Sequence, residues 1–185
     1  MKPDDSPPHP ERREFLTKAA AVTIGAAVGL VPMAAGLWTV LDPLRKKGGN
    51  TGAFLRVASL SALPDDGSPR QFPVVSDRVD AWNKYPQIRV GAVYLRRTKP
   101  GAKEVQAIHA VCPHAGCFVN FLPEQNHYLC PCHNSTFATD GTIQDPKSPS
   151  PRALDTLEAR VNDDGSVWVK FQNFRPGTPG KIAVS

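Results

Sequence analysis

The distribution of hydrophobic and charged positions divides the chain into two unlike parts. Residues 19–41 form a run of 23 positions without a single charged side chain. As a helix with a rise of about 1.5 Å per residue, such a run is long enough to cross the roughly 30 Å hydrocarbon core of a bilayer. The pattern therefore predicts one transmembrane helix at residues 19–41.

Beyond residue 52 the pattern is typical of β structure. Short runs rich in Val, Ile, Phe, Tyr and Trp alternate with turns of Pro, Gly and Asp. They lie at residues 54–57, 72–75, 88–95, 105–111, 157–161 and 167–171. The last two flank a turn at residues 162–166, and the alternation of Val167, Val169 and Phe171 with polar neighbours predicts a hairpin with one buried face. We expect an all-β antiparallel sandwich or barrel, with a short helix at residues 77–85 as an open alternative.

The segment before the apolar run has the composition of an export signal. Residues 1–18 begin with Pro, Asp and Ser and predict a disordered tail. Within them Arg12 and Arg13 precede Phe15, Leu16 and the apolar run, an order that resembles a twin-arginine signal. Two arginines also serve simply to orient a membrane helix, but basic residues flank both ends of this run, so charge asymmetry decides little. Because no Ala-x-Ala cleavage site closes the run, we expect a retained anchor, with a cleaved signal as the alternative.

Residues 42–52 are charged and then glycine-rich, which predicts a flexible tether before a domain at residues 53–185. The formal net charge of the chain is only +5. Residues 1–50 contain seven Lys or Arg against five Asp or Glu, and the remainder contains fifteen against twelve. This scattered, modest charge argues against nucleic-acid binding, which needs a concentrated basic face.

All four cysteines and two of the five histidines lie in two short loops, residues 112–117 and 130–135. Two thiolates and two imidazoles suit tetrahedral zinc, but a zinc finger takes its cysteines from one run and its histidines from another. Here each loop offers one Cys and one His plus a spare Cys, an order that fits a [2Fe-2S] centre with two Cys on one iron and two His on the other. Zinc and plain disulfides remain alternatives. His9, His109 and His127 lie outside both loops and are interpreted as ordinary histidines.

The motifs C-x-H-x-G-C and C-P-C-H-x-S resemble the cluster-binding loops of disulfide-containing Rieske proteins of cytochrome bc complexes. The resemblance implies a small cluster-binding subdomain on the sandwich, a hinge at residues 42–52 and a proline-rich loop at residues 148–151 over the cluster. It also implies four ligands and one disulfide: Cys112 and Cys130 as thiolate ligands, His114 and His133 as imidazole ligands, and a bridge between Cys117 and Cys132.

The function implied by the resemblance is electron transfer within a quinol:cytochrome c (or plastocyanin) oxidoreductase. His133 would accept a proton from quinol bound in a cytochrome b partner, with His114 as the second exposed imidazole, and the electron would go to a c-type cytochrome. The chain alone should have no turnover. Its domain would lie on the extracytoplasmic side of an energy-transducing membrane, with a cytoplasmic N-terminus. The alternatives are the small subunit of an exported molybdenum enzyme such as arsenite oxidase, and a non-redox module stapled by zinc or disulfides.

Three positions depart from the family pattern. Phe137 stands where high-potential relatives have a tyrosine, Asn134 where glycine is usual, and Ala115 where a leucine shields the cluster. Ser135 keeps the serine hydroxyl that hydrogen-bonds the cluster. Because hydrogen bonds to cluster sulfurs raise the reduction potential, the missing tyrosine hydroxyl predicts an intermediate potential that suits menaquinol.

Overall fold

A computed structural model describes residues 10–45, 52–79 and 83–184 of the chain. It divides the chain into two compact units, Met1–Lys47 and Gly48–Ser185, which are described separately. The first contains helix α1, Pro10–Arg45. Its segment Glu11–Asp42 is long and apolar enough to span a membrane, as predicted.

Helix α1 is longer than the sequence pattern predicts, at both ends. Residues 10–18, expected in a disordered tail, and residues 42–45, expected in the tether, are helical. A proline suits the first helical position because its missing N–H would have no partner there. Within the first turns Lys18 pairs with Glu14 at 2.9 Å, four residues earlier, a spacing that stabilises helices. The remaining parts of the expected tail and tether, residues 1–9 and 46–51, lie outside the described residues.

The second unit is built from short antiparallel strands, which confirms the predicted all-β class. The strands are β1 Phe54–Ser59, β2 Arg70–Val79, β3 Lys84–Arg97, β4 Val105–His109, β5 Asn120–Leu122, β6 His127–Leu129, β7 Thr136–Ala138, β8 Thr156–Leu157, β9 Ala159–Val161, β10 Ser166–Lys170, β11 Asn173–Phe174 and β12 Ala183–Val184. One sheet has the order β1-β10-β9, a second β2-β3-β4-β8 and a third β5-β6-β7, and β11 pairs with β12.

Strand β3 is buried on both faces where the three sheets meet. Val93 and Leu95 belong to a core that includes residues of β10, whereas Ala92 and Tyr94 belong to a second core with residues of the third sheet. Successive side chains of a strand point to opposite faces, so one uninterrupted apolar stretch supplies both cores. The sandwich and the small third sheet are therefore built on a shared strand.

The predicted hairpin at residues 157–171 is present, with one refinement. Strand β10 pairs antiparallel with β9, and Gly165, at a φ of 74°, donates its N–H to the carbonyl of Asn162 at 2.9 Å. Val167 and Val169 are fully buried, as the alternation predicts. The run 157–161 is divided between β8 and β9, which belong to different sheets.

The alternative of a short helix at residues 77–85 is wrong for the part that the structure describes. Residues 77–79 continue β2 and residues 84–85 begin β3. The two strands pair antiparallel out to Val79 and Lys84, so their backbone groups are bonded across the hairpin rather than along a helix. Residues 80–82 lie outside the described residues.

Candidate metal centre

The third sheet brings the two cysteine-bearing loops together. The first loop, residues 112–117, connects β4 to β5, and the second, residues 130–135, connects β6 to β7. Strand β6 pairs with both β5 and β7. Both loops therefore emerge from one small sheet that packs on β3 through the second core.

The first loop is closed by its own backbone. The N–H of Cys112 donates to the carbonyl of Cys117 at 2.7 Å, and the N–H of Gly116 donates to the carbonyl of Cys112 at 3.0 Å. Gly116 has a φ of 84°, a left-handed conformation that glycine adopts without steric cost. The glycine of the motif thus permits the chain to turn back on itself.

The second loop repeats the same turn. The N–H of Cys130 donates to the carbonyl of Ser135 at 2.8 Å, and the N–H of Asn134 donates to the carbonyl of Cys130 at 3.0 Å. Asn134, in the place of Gly116, has a φ of 56°, which Asn tolerates better than most residues. The two loops therefore present their leading cysteines in equivalent backbone environments.

Cys117 and Cys132 form the disulfide expected from the resemblance, with their Cα atoms 6.6 Å apart. The sulfurs of both lie within 4.8 Å of the Cys130 sulfur, but sulfurs joined in a disulfide are not thiolate ligands. Cys112 and Cys130 are left as free, buried thiols.

The Cys112 thiol is held in its neutral form by its surroundings. Burial raises the pKa of Cys112 to about 11, and the neighbouring Cys130 adds to this effect. The backbone of His114 and the hydroxyl of Ser135 act in the opposite direction on the same pKa. A bound cation reverses this balance, because metal coordination displaces the thiol proton.

The two loop histidines lie next to each other. The ring centroids of His114 and His133 are 4.6 Å apart, with the rings at 76° to each other. The Nδ1 atom of His114 is buried and has no hydrogen-bond partner among the described residues. His114 is half-buried and His133 is exposed. The two imidazole rings pack edge to face, and the Nδ1 atom of His114 has no protein partner among the described residues. This arrangement fits a pair of imidazole ligands.

The hydroxyl of Ser135 also lacks a hydrogen-bond acceptor among the described residues. The Oγ atom of Ser135 is buried, and among the described residues it makes no hydrogen bond of normal geometry, although it lies close enough to Cys112 to lower the pKa of that thiol. Buried hydroxyls normally have a partner. Two thiols, two imidazoles and a hydroxyl in need of an acceptor fit a [2Fe-2S] cluster. Four donors alone also suit zinc, so the donor set does not decide between the metals.

Two of the remaining histidines lie in strands, outside the two loops. His109 is buried in β4 and bonded to Asn173 at 3.1 Å, and His127 lies in β6. His9 lies outside the described residues. In the expected proline loop, Ser150 is buried and its hydroxyl donates to the carbonyl of Arg152 at 2.8 Å.

Sequence reasoning missed one group of residues next to the centre. The buried pair Arg152 and Asp155 lies between the proline loop and the C-terminal segment. Neither residue belongs to a motif, and the only signal is a charged pair three positions apart beside buried Leu154.

Comparison with known proteins identifies the family. A family model described as the Rieske [2Fe-2S] domain matches residues 54–158. The menaquinol:cytochrome c reductase iron-sulfur subunit of Bacillus subtilis is 31% identical over 157 residues, 82% of this chain and 87% of that protein. The cytochrome b6-f complex iron-sulfur subunit of Chlorobaculum thiosulfatiphilum is 31% identical over 160 residues, 86% of this chain and 76% of that protein.

A solved structure is also similar, the cyanobacterial plasma membrane Rieske protein of Synechocystis PCC 6803. Its TM-score is 0.43 at 20% identity, over 64% of this chain and 99% of that one. The curated relatives favour a Rieske centre over the zinc-stapled module and over the molybdenum-enzyme subunit. The range matched by the family model contains both cysteine-bearing loops, and the chain belongs to the Rieske [2Fe-2S] family.

Proposed function

We propose that this chain is the electron-transfer subunit of a quinol:cytochrome c or b6f-type oxidoreductase, without turnover by itself. Two observations support the proposal: the names of the relatives, each similar over more than four fifths of this chain, and a helix long enough to anchor the domain to a membrane. The bound cluster supplies the exchange of one electron at a time. The ligands would be Cys112 and Cys130 through sulfur and His114 and His133 through nitrogen.

The single observation that carries the mechanism is the unequal exposure of the two imidazoles. His133 is exposed and His114 is only half-buried. If the orphaned Nδ1 of His114 marks the donor atom, then Nε2 is the free nitrogen of each ring. The Nε2 atom of His133 is thus the group most open to a quinol hydroxyl, from which it would accept the proton as the electron leaves. His114 would serve as the second, less accessible imidazole.

We propose menaquinol as the quinol. Phe137 is fully buried and brings no hydroxyl to the cluster loops, so one of the hydrogen bonds that raise the potential in quinol-oxidising relatives is missing. A lower potential suits a more reducing quinol. The Bacillus subtilis relative is named as a menaquinol reductase subunit, which agrees with this choice.

For the assembly we propose a cytochrome b subunit that presents the quinol and a c-type cytochrome as acceptor. The N-terminus would be cytoplasmic and the Rieske domain extracytoplasmic. The arginine pair before the apolar run supports this orientation, because a twin-arginine route carries domains that fold around a cofactor before export.

The test is to purify the full chain in detergent, anaerobically, with whatever subunits accompany it. We expect two irons per chain, the EPR spectrum of a reduced Rieske centre, and b- and c-type haem in the complex. His133→Ala should abolish the EPR signal, because it removes a ligand. A chain that contains zinc instead of iron, or that purifies with molybdenum and no haem, would contradict the proposal.

A further inference from the structure

The C-terminal segment beyond the family match forms a small hairpin, here called the C-terminal hairpin, residues 173–184. Strand β11 pairs with β12, and the N–H of Arg175 donates to the carbonyl of Ile182 at 2.8 Å. The family match ends at residue 158, so this hairpin is not part of the matched domain. Its position relative to the cluster loops can be followed from its contacts.

The tip of the C-terminal hairpin lies against the first cluster loop. The N–H of Gly177 donates to the carbonyl of Pro113 at 2.7 Å. A Cβ atom on Gly116 would lie 3.8 Å from Pro176, and one on Gly177 would lie 3.7 Å from the carbonyl of His114. The hairpin therefore packs on the stretch of backbone that carries the imidazole of His114.

Arg152 holds the C-terminal hairpin in that position. Its guanidinium forms a two-point ion pair with Asp155, from Nε to Oδ1 at 3.0 Å and from Nη2 to Oδ2 at 2.8 Å. It also donates from Nη1 to the carbonyl of Thr178 and from Nη2 to that of Arg175, the latter at 3.2 Å. The Arg152 and Asp155 side chains are only 11% and 7% exposed.

Asp155 ties this cluster to the body of the domain. Its carbonyl accepts the N–H of His109, the last residue of β4, at 2.8 Å. Since the first loop follows directly from β4, the strand, the arginine and the hairpin enclose the start of the loop. A planar guanidinium with donors in fixed directions can satisfy a carboxylate and two carbonyls together, which a lysine cannot.

The two cluster loops are supported differently. The second loop is closed at its base by the pairing of β6 with β7. At the base of the first loop there is an isolated bridge between Val111 and Phe118, and its outer side is covered by the C-terminal hairpin. The position of His114 thus depends on a segment about sixty residues further along the chain.

We propose that the C-terminal hairpin is a brace for the first cluster loop, and that Arg152 is the positioning residue that locks it in place. The proposal rests on the proposed function only in taking His114 as a cluster ligand. While the contacts of Arg152 hold the hairpin against the first loop, the imidazole of His114 keeps a fixed distance and angle to the other three donors. Loosening it moves the first loop while the second remains in place.

Arg97 provides a matched control. It is another buried arginine, 9% exposed and paired with the carboxylate of Asp65 at 2.9 Å. It also donates to two backbone carbonyls, those of Ala102 at 2.7 Å and Leu60 at 3.0 Å. Its carboxylate partner Asp65 is exposed and its other partners lie away from the cluster loops, so Arg97→Lys tests the loss of a buried guanidinium at a different place.

The experiment compares Arg152→Lys with Arg97→Lys in the full chain, because both changes keep the charge and remove the planar fork. Amide hydrogen exchange is measured by mass spectrometry, and the midpoint potential by EPR-monitored titration. For Arg152→Lys we expect exchange at least tenfold faster at residues 111–118 and 173–184, unchanged exchange at residues 127–138, and a shifted potential. For Arg97→Lys we expect faster exchange near residues 60–63 and 97–104, with the potential of the parent protein.

A second variant, Arg152→Gln, removes the charge as well and should accelerate exchange in the same two segments. Parent-like exchange at residues 111–118 in both Arg152 variants would overturn the brace, as would an equal shift of potential in Arg97→Lys. If either Arg152 variant fails to fold, the other decides. A parent protein without iron would defeat the proposed function, whereas the exchange comparison would still decide the brace.

Discussion

At the residue scale, Phe137 is the position whose chemistry is easiest to test. Its ring is fully buried and belongs to the same core as Cys112 and Cys130. Phe137→Tyr adds a hydroxyl next to the cluster loops and should raise the midpoint potential on the order of 60 mV, the shift that a tenfold change in a one-electron equilibrium produces.

The converse change, Ser135→Ala, removes the hydroxyl that has no protein partner among the described residues and should lower the potential by a similar amount. EPR-monitored redox titration of the two variants measures both shifts, and potentials identical to the parent would contradict the role given to these hydroxyls.

The proposed ligands come from the sequence because their chemistry is local. One or two residues separate each Cys from its His, and the resemblance of these spacings to Rieske loops is what selects Cys112, His114, Cys130 and His133. Their unequal exposure could not be predicted in this way. Nor could the contacts of the first loop with Pro176 and Gly177, which no spacing rule connects to it.

At the element scale, β3 depends on a glycine to accommodate a ring from the neighbouring sheet. A Cβ atom on Gly91 would lie 2.2 Å from Cζ of Phe171, and that ring stacks on His109 with centroids 5.2 Å apart. Gly91→Ala should therefore destabilise the domain by about 1–3 kcal/mol, the usual cost of overpacking a core. Chemical denaturation would measure the loss, with Gly180→Ala as the control because its added Cβ would meet only Ile182, at 3.9 Å. In the double variant Gly91→Ala/Phe171→Leu, the smaller side chain should restore part of the stability; no recovery would show that the ring is not the cause.

The disulfide links the two loops as elements, since Cys117 ends the first and Cys132 lies within the second. Cys132→Ser should leave a cluster that is more easily lost and has a lower midpoint potential. Such a link typically contributes about 2–4 kcal/mol to stability. The rate of iron release to a chelator and a redox titration would measure the two effects, with Ser59→Ala, in β1, as a control. Parent-like iron release would mean that the loops hold each other without the bond.

The strands that sequence predicted are those with a long enough pattern. Longer runs of apolar residues, such as those in β3 and β10, were located correctly, whereas β5, β6, β7 and β11 have only two or three residues each. So short a strand shows no period and is stabilised by tertiary pairing rather than by its own sequence. The same reason explains why the C-terminal hairpin was not foreseen.

At the scale of the whole molecule, stability should depend on pH through His109. Burial lowers the pKa of this histidine, the acceptor Asn173 and the charge of Asp155 oppose the shift, and Lys181 adds to it. Below about pH 6.5, the ordinary value for histidine, the unfolded chain takes up a proton that the folded chain still refuses. The free energy of unfolding should therefore fall as the pH drops from 6.5 towards the lower folded pKa, and remain constant above 6.5 as far as this group is concerned.

Denaturation at pH 7.5 and 5.5 measures this effect. Between the two pH values His109→Gln should lose less free energy of unfolding than the parent, and equal losses would rule out His109 as the source.

Strand β3 contributes side chains both to the core of the sandwich and to the core beneath the cluster loops, so one strand separates the two. Val93 and Leu95 pack in the first core, and Ala92 and Tyr94 pack in the second. A cluster bound on one side consequently stabilises both sides, since occupancy of the folded state alone shifts the whole equilibrium. A chain stripped of its metal should therefore unfold as one unit, at a lower temperature than the loaded protein.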